Sequence, residues 1–327
     1  MRNLTWIIIS CLAAVSITTQ ASPIDKKTKI QLKQLSQQTK TSYRTLRQAV
    51  EEAKFQPEVI KAITKPWEAK PWYQYRALFL KPKRVREGVE FWKKHAKTLA
   101  KAQRIYHVPP ELIVAIIGVE TFYGRFTGNY SVLNALYTLG FHYPPRGKFF
   151  RKEFASFVKL SQQQKWSLGQ IKGSYAGAMG YGQFIPSSYL HYAVDFNNDG
   201  RINMLKDPVD GIGSVANYFH RHHWHEHTPV AEKLARAPSA TLKQKANREL
   251  SPQYKWQQLT QWGATVKQSP ESNTPVNLLR LKVGKKQSGY WVTYHNFYVI
   301  TRYNRSPLYA MAVYQLSQQI KDAYYHP

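Results

Sequence analysis

The segment PPELIVAIIGVETFYG, residues 109–124, constrains this chain more than any other. Pro109 and Pro110 suit a helix's first turn, and the acidic Glu111 suits its dipole. Leu112, Ile113, Ala115, Ile116 and Val119 then leave no polar face, so the helix must be buried in a core. Gly124 is placed to end it. Glu120 falls on the face of Ile113 and Ile116, a costly place for a carboxylate. After it, Glu153 is the only acid before Asp195. A lone carboxyl among aromatic residues has its charged form desolvated, which raises its pKa toward that of a general acid working near neutrality. Glycosidases usually pair two carboxyls. A glycan-cleaving enzyme with one would need chemistry that dispenses with a second.

The chain has 327 residues, enough for one large domain or two to three small ones. Forty-seven Lys and Arg against nineteen Asp and Glu give a net charge of +28. That field favours polyanions: nucleic acid, an anionic membrane or an acidic wall polymer. The N-terminus narrows the choice. Arg2 precedes an apolar run from Trp6 to Ile17 that ends at Thr19-Gln20-Ala21, the pattern of a cleaved export signal over residues 1–21. Export argues against nucleic acid as partner. Ile8-Ile9-Ser10-Cys11 matches a lipidation box, but cutting there leaves a ten-residue signal without room for its basic and apolar regions. The reading is therefore a soluble periplasmic protein, with membrane association only if Cys11 is lipidated. The mature chain then has no cysteine and no disulfide.

Residues 22–102 read as a helical region, with LKQLSQQTKTSYRTLRQAVEEA and GVEFWKKHAKTLAKAQRIYHV each one amphipathic helix. A core spans 103–227. Residues 228–274 read as linker, followed by a small antiparallel sheet from VNLLRLKV and YWVTYHNFYVI, so that linker and β domain occupy 228–300. The helix SPLYAMAVYQLSQQI closes the chain in 301–327. The fold class is thus mainly α, an α+β chain.

Three further constellations stand out. GSYAGAMGYGQFIPSSY sets Ser174, Tyr175, Tyr181 and Gln183 among glycines, either as a tightly packed loop or as a sugar-binding wall. DFNNDGRINMLKDPVD begins like a calcium loop: Asp195, Asn197 and Asp199, then Gly200 and the Arg201 carbonyl. Its twelfth position is Lys206 rather than Glu, so Asp207 or Asp210 must close it, and Asp210 is preferred. Ca2+ there would be structural. HRHHWHEH, residues 220–227, fits no standard metal spacing and suits a helix C-terminus.

VETFYG, GSYAGAMGYGQFIPSSY, the DFNNDG loop, DPVDGIGSVANYF and NFYVITRYNRSPLYAMAV, in that order, resemble the membrane-bound lytic murein transglycosylase B family, from about residue 30 to the end. The resemblance implies a core like goose-type lysozyme with a helical and a small β domain. It implies cleavage of the MurNAc–GlcNAc bond of peptidoglycan glycan strands by a monomer, leaving a 1,6-anhydro end. Glu120 would be the sole acid and base. Ser174 and Gln183 would hold substrate groups, Tyr303, Asn304 and Tyr309 would contact sugars, and Arg146 would approach peptide or lactyl carboxylates. Asp195, Asn197, Asp199, Arg201 and Asp210 would bind calcium. The alternatives are a muramidase that admits water and a non-catalytic wall-binding protein.

Overall fold

The structure, a computed structural model, describes residues 24–65 and 70–326; the export signal read at 1–21 lies outside them. Among the described residues, six helices precede the apolar one: α1 (Lys26–Thr39), α2 (Tyr43–Glu52), α3 (Pro57–Ile63), α4 (Trp72–Phe79), α5 (Pro82–Lys94) and α6 (Ala96–Tyr106). Each long amphipathic stretch of the N-terminal region is therefore two helices, not one. Lys40 turns left-handed at φ 54° after α1, which lets Leu32 and Leu35 of α1 and Leu46 and Ala49 of α2 face the same core. The second stretch bends at His95. There α5 lies along the apolar helix while α6 turns to pack on a later one. Continuous sequence periodicity cannot show such a corner, because both arms keep an apolar face.

The apolar helix, α7 (Pro110–Thr121), is central. Ile113 to Ile117 are fully buried, and neighbouring helices cover them on every side. Those neighbours are α5, α6, α11 (Pro208–Arg221) and α15 (Pro307–Tyr325). Glu111 in its first turn meets Lys321 of α15 at 3.0 Å. Between α7 and α11 run α8 (Val132–His142), α9 (Gly147–Gln164) and α10 (Pro186–Tyr192). A two-residue pairing of β1 (Tyr130–Ser131) with β2 (Lys172–Gly173) ties the glycine-rich segment to the start of α8. Glu153 of α9 is spent structurally. It accepts from Ser187 N at 2.9 Å and Ser187 Oγ at 2.8 Å, pinning α10 by its N-terminus.

The small sheet is antiparallel in the order β3 (Ala231–Lys233), β6 (Ser288–Thr293), β5 (Pro275–Lys282), β4 (Tyr254–Lys255). Its faces follow the period of two. Leu279, Leu281 and Trp291 join the main core, while Val276, Leu278, Tyr290 and Val292 face a second, smaller core. That second core is completed by Leu242 of α12 (Ala240–Lys245) and by Trp256 and Leu259 of α13 (Trp256–Gln261). The segment 228–274 is thus part of the sheet rather than a linker, since it supplies both edge strands and the layer beneath.

The strand read through YWVTYHNFYVI stops at Thr293, and His295–Tyr303 is a helix, α14. Buried Asn296 decides this. Its Oδ1 accepts from His225 N at 3.0 Å, and its Nδ2 donates to the carbonyls of His225 and Thr228 at 2.7 and 2.8 Å. Those bonds, with Phe297 and Ile300 packed into the main core, outweigh a composition that favours strand.

Candidate active site

Glu120 occupies the last turn of α7, and the chain leaves that turn by an unusual route. Phe122, Tyr123 and Gly124 are successively left-handed, at φ 51°, 62° and 88°. The helix therefore ends at Phe122, before Gly124. Each non-glycine residue held there costs about 1–2 kcal/mol, so other contacts must hold the turn. Thr121 Oγ1 lies 3.0 Å from the Ile117 carbonyl and 3.1 Å from that of Tyr181, and it accepts from Gly124 N at 2.9 Å. Tyr123 donates to the Arg84 carbonyl at 2.6 Å, and the Arg84 guanidinium returns a bond to the Gly118 carbonyl at 3.1 Å. The Tyr123 ring lies against Gly88 of α5 and Gly118 of α7. A β-carbon at either position would come within 2.7 Å of it. At Gly124 a β-carbon would meet the Tyr181 ring at 2.3 Å. The turn after Glu120 is thus wedged by an aromatic side chain that only glycines can admit.

The wedge presents Glu120, half-buried, to two tyrosines from the far end of the sequence. Tyr309 of α15 donates its hydroxyl to Glu120 Oε1. The Tyr303 ring at the end of α14 lies parallel to that of Tyr309, 6.5 Å away, and also stacks with Phe219 at 5.7 Å. The Tyr303 hydroxyl donates to the Gly182 carbonyl, which ties this ladder to the glycine-rich segment. Burial pushes the Glu120 carboxyl up to about 7, and the bond from Tyr309 offsets part of that rise. Burial also holds both tyrosine hydroxyls well above their usual range, so they remain donors. No other carboxylate contributes to the Glu120 shift, and Oε2 has no hydrogen-bond partner among the described residues. Such a group can give a proton through one oxygen and take one back. Replacing Tyr309 with Phe removes a bond that favours the ionised form, so the Glu120 pKa should rise further. Turnover at neutral pH should fall about 5- to 10-fold, with the limb of the pH–rate profile that reports Glu120 moved upward.

The other residues singled out in the sequence are placed differently. Ser174 Oγ accepts from Ala176 N at 3.2 Å and Ala178 N at 3.0 Å, shaping its own turn. Gln183 is left-handed at φ 49°, and its amide donates to the carbonyls of Thr127 and Gly180, both at 3.1 Å. It neighbours Gly182 and so joins the Tyr303 side of the site. Asn304 is exposed just beyond α14. Arg146 is exposed and lies over the rings of Phe149 and Phe150 at 4.6 and 5.1 Å, with no contact to Glu120. Glu120, Tyr303 and Tyr309 are brought into one cluster. Sequence reading missed Arg84, Thr121, Tyr123 and Phe219. A glycine in an otherwise apolar helix, Gly118, was the available sign that something bulky passes there.

In the acidic loop, Asp195 accepts from Asp199 N and Gly200 N at 3.1 and 2.8 Å, and Asp199 accepts from Arg201 N at 2.9 Å. The Asn197 amide reaches both Asp199 and Asp207, at 3.2 and 2.9 Å. Asp207 also caps α11 through Val209 N at 2.7 Å. Asp210 differs. It is fully buried, and its two oxygens accept from Phe196 N at 2.8 Å and Asn203 N at 2.7 Å. Asp207 thus bonds to Asn197 within the loop and to the start of α11, while Asp210 holds the loop backbone at Phe196 and Asn203. Among the described residues, no three Asp, Glu, His or Cys side chains form a ready metal cluster. The donors are nonetheless all oxygens on one tight turn, the chemistry of a hard cation. The histidines of 220–227 disperse: His222 stacks on Tyr218, and His225 stacks on His295.

A mainly helical core that presents one raised carboxyl beneath a tyrosine ladder, with an acidic loop and a small sheet beside it, defines a lysozyme-like, glycan-cleaving class of protein. The chain belongs to the Transglycosylase SLT domain family, whose model matches residues 25–318. It is 46% identical over 250 residues to membrane-bound lytic murein transglycosylase B of Escherichia coli (strain K12), covering 76% of this chain and 67% of that one. Its structure resembles that of the catenated lytic transglycosylase SltB1 from Pseudomonas aeruginosa, with a TM-score of 0.84, 42% identity, and coverage of 92% of this chain and 98% of that one. It also resembles the Escherichia coli lytic transglycosylase Slt35 in complex with calcium, with a TM-score of 0.80, 40% identity, and coverage of 91% and 94%.

Proposed function

We propose that Glu120 performs both proton transfers of a lytic transglycosylase reaction. The protein is a peptidoglycan lytic transglycosylase, a lyase that cleaves the MurNAc–GlcNAc bond of the glycan strand. Glu120, whose pKa near neutrality keeps a protonated fraction available, gives its proton to the leaving glycosidic oxygen. As carboxylate it then takes the proton from the C6 hydroxyl of the same muramoyl ring, which closes on the anomeric carbon. Intramolecular attack has the advantage of proximity over bulk water, so no second carboxyl is needed to activate a solvent molecule. The observation that supports this is the Glu120 carboxyl itself, held near 7 with no carboxylate partner. Tyr309 orients it, and Tyr303, Asn304, Gln183 and Ser174 are proposed to line the sugar path, with Arg146 at its edge. Digestion of purified peptidoglycan, with products read by mass, tests the scheme. Anhydro ends are lighter by one water than hydrolysed ends, and products carrying only reducing ends would overturn it.

The catalytic unit proposed here is residues 103–227, with 301–327 returning to it. The partners are peptidoglycan strands, the protein acts as a monomer, and it works in the periplasm after removal of residues 1–21. No helix among the described residues is long and apolar enough to cross a membrane. The acidic loop is proposed to hold structural Ca2+ through Asp195, Asn197, Asp199, Asp210 and the Arg201 carbonyl. The ion supplies a fixed positive centre that keeps residues 195–207 folded against α11. Calcium at about 100 times its Kd should stabilise the protein by about 2.7 kcal/mol, seen as a raised thermal midpoint that a chelator reverses. Asp210→Asn should abolish that increment and, because its oxygens also hold Phe196 N and Asn203 N, lower the calcium-free midpoint as well.

A further inference from the structure

A groove of about 1050 Å³ backs onto the catalytic segment without containing Glu120. One wall is the end of α9, where Lys165 turns left-handed at φ 55° and sends the chain across to Trp166. Trp166 is fixed edge-on against Tyr189 at 5.7 Å. The opposite wall is the far half of the acidic loop, from Gly200 to Lys206. Thr127 and Gly180 also line the groove, and their carbonyls are the two that hold the Gln183 amide. The groove and the sugar path are therefore two sides of one wall.

The charge of the groove is one-sided. Lys165, Lys172, Arg201 and Lys206 line it and no Asp or Glu does. All four are exposed, and none forms an ion pair among the described residues. The neighbouring carboxylates of Asp199 and Asp207 are engaged inside the acidic loop, on Asn197 and backbone N–H groups. The glycan backbone is neutral once its lactyl groups are amide-linked, so it gives these cations nothing to pair with. The space also far exceeds that of one small anion. The strand's peptide stems are extended, flexible and carry free carboxylates.

We propose that this groove binds the carboxylates of a peptide stem while the strand that bears it lies against Glu120, an inference that rests on the transglycosylase reading. Lys165 and Lys172 hold the stem, and the Trp166 indole packs along its aliphatic part. The test compares wild type with Lys165→Glu/Lys172→Glu on two substrates: purified stem-bearing strands, and the same strands after carbodiimide amidation of the stem carboxylates. The readout is kcat/KM for release of anhydro ends. Wild type should prefer the charged strands by about 5- to 10-fold, the amount that two partly solvated ion pairs supply. That preference should shrink as salt rises. The charge-reversed pair should lose the preference, and Lys165→Arg/Lys172→Arg should keep it. A wild type indifferent to amidation, or a reversed pair that retains the preference, would overturn the groove's role and leave the transglycosylase reading standing. Absence of anhydro ends from wild type on both substrates would sink that reading and the groove's role together.

Discussion

Glu120→Gln should abolish release of anhydro products, with turnover down about 10⁴-fold, the upper end for a positioned acid–base group, because one side chain serves both proton transfers. The same substitution should stabilise the fold at alkaline pH. The Glu120 pKa rises from 4.5 unfolded to about 7 folded. Between those values the native state binds more protons than the unfolded one, so stability is full below the unfolded pKa and is lost as pH rises through the folded one. The loss amounts to roughly 3 kcal/mol at most. Gln cannot ionise and escapes it. The difference in thermal midpoint, mutant minus wild type, should therefore grow between pH 5 and pH 8. A difference flat across that range would mean that the carboxyl is well solvated, and the single-carboxyl scheme would lose its physical basis.

Gly118→Ala should destabilise the protein by about 2–3 kcal/mol, the scale of an overpacked core. The sign is the informative part. In a helix interior Ala is favoured over Gly by about 1 kcal/mol, so propensity alone predicts a gain. Here the added β-carbon would lie 2.7 Å from two ring carbons and the hydroxyl of Tyr123, with Arg84 and the helix-ending turn behind it. The ring cannot retreat without unseating the left-handed turn two residues beyond Glu120. Turnover should therefore fall together with stability. Urea denaturation and kcat on peptidoglycan check both; a stabilised, fully active variant would show that the wedge is slack.

The two substitutions mark the limit of what was legible in the residues. Glu120 is conspicuous in sequence because it interrupts an apolar helix and because acids are scarce after it. The motifs around it were specific enough to point to Tyr303 and Tyr309. Arg84 and Tyr123 were invisible: one lies in a stretch dense with basic residues and the other looks like ordinary core. Their roles exist only where α5 crosses α7. The same holds at the acidic loop. The sequence favoured Asp210 over Asp207 there, and what each bonds to appears only in the fold: Asp207 to Asn197 and the start of α11, Asp210 to Phe196 and Asn203. Residues 295–300 have the composition of a strand and form a helix because of what Asn296 bonds to across the fold.

By itself the sequence displayed the helical core, an isolated carboxyl in an apolar helix and the acidic turn, through local periodicity, residue chemistry and spacing; the class of polymer came from the resemblance of its motifs to a family. Tertiary structure alone decided where each helix breaks, what each loop aspartate bonds to, and how Tyr309 comes to lie against a glutamate 189 positions away. Those outcomes are set by burial and by partners distant in sequence, whose energies arise only once the chain has packed.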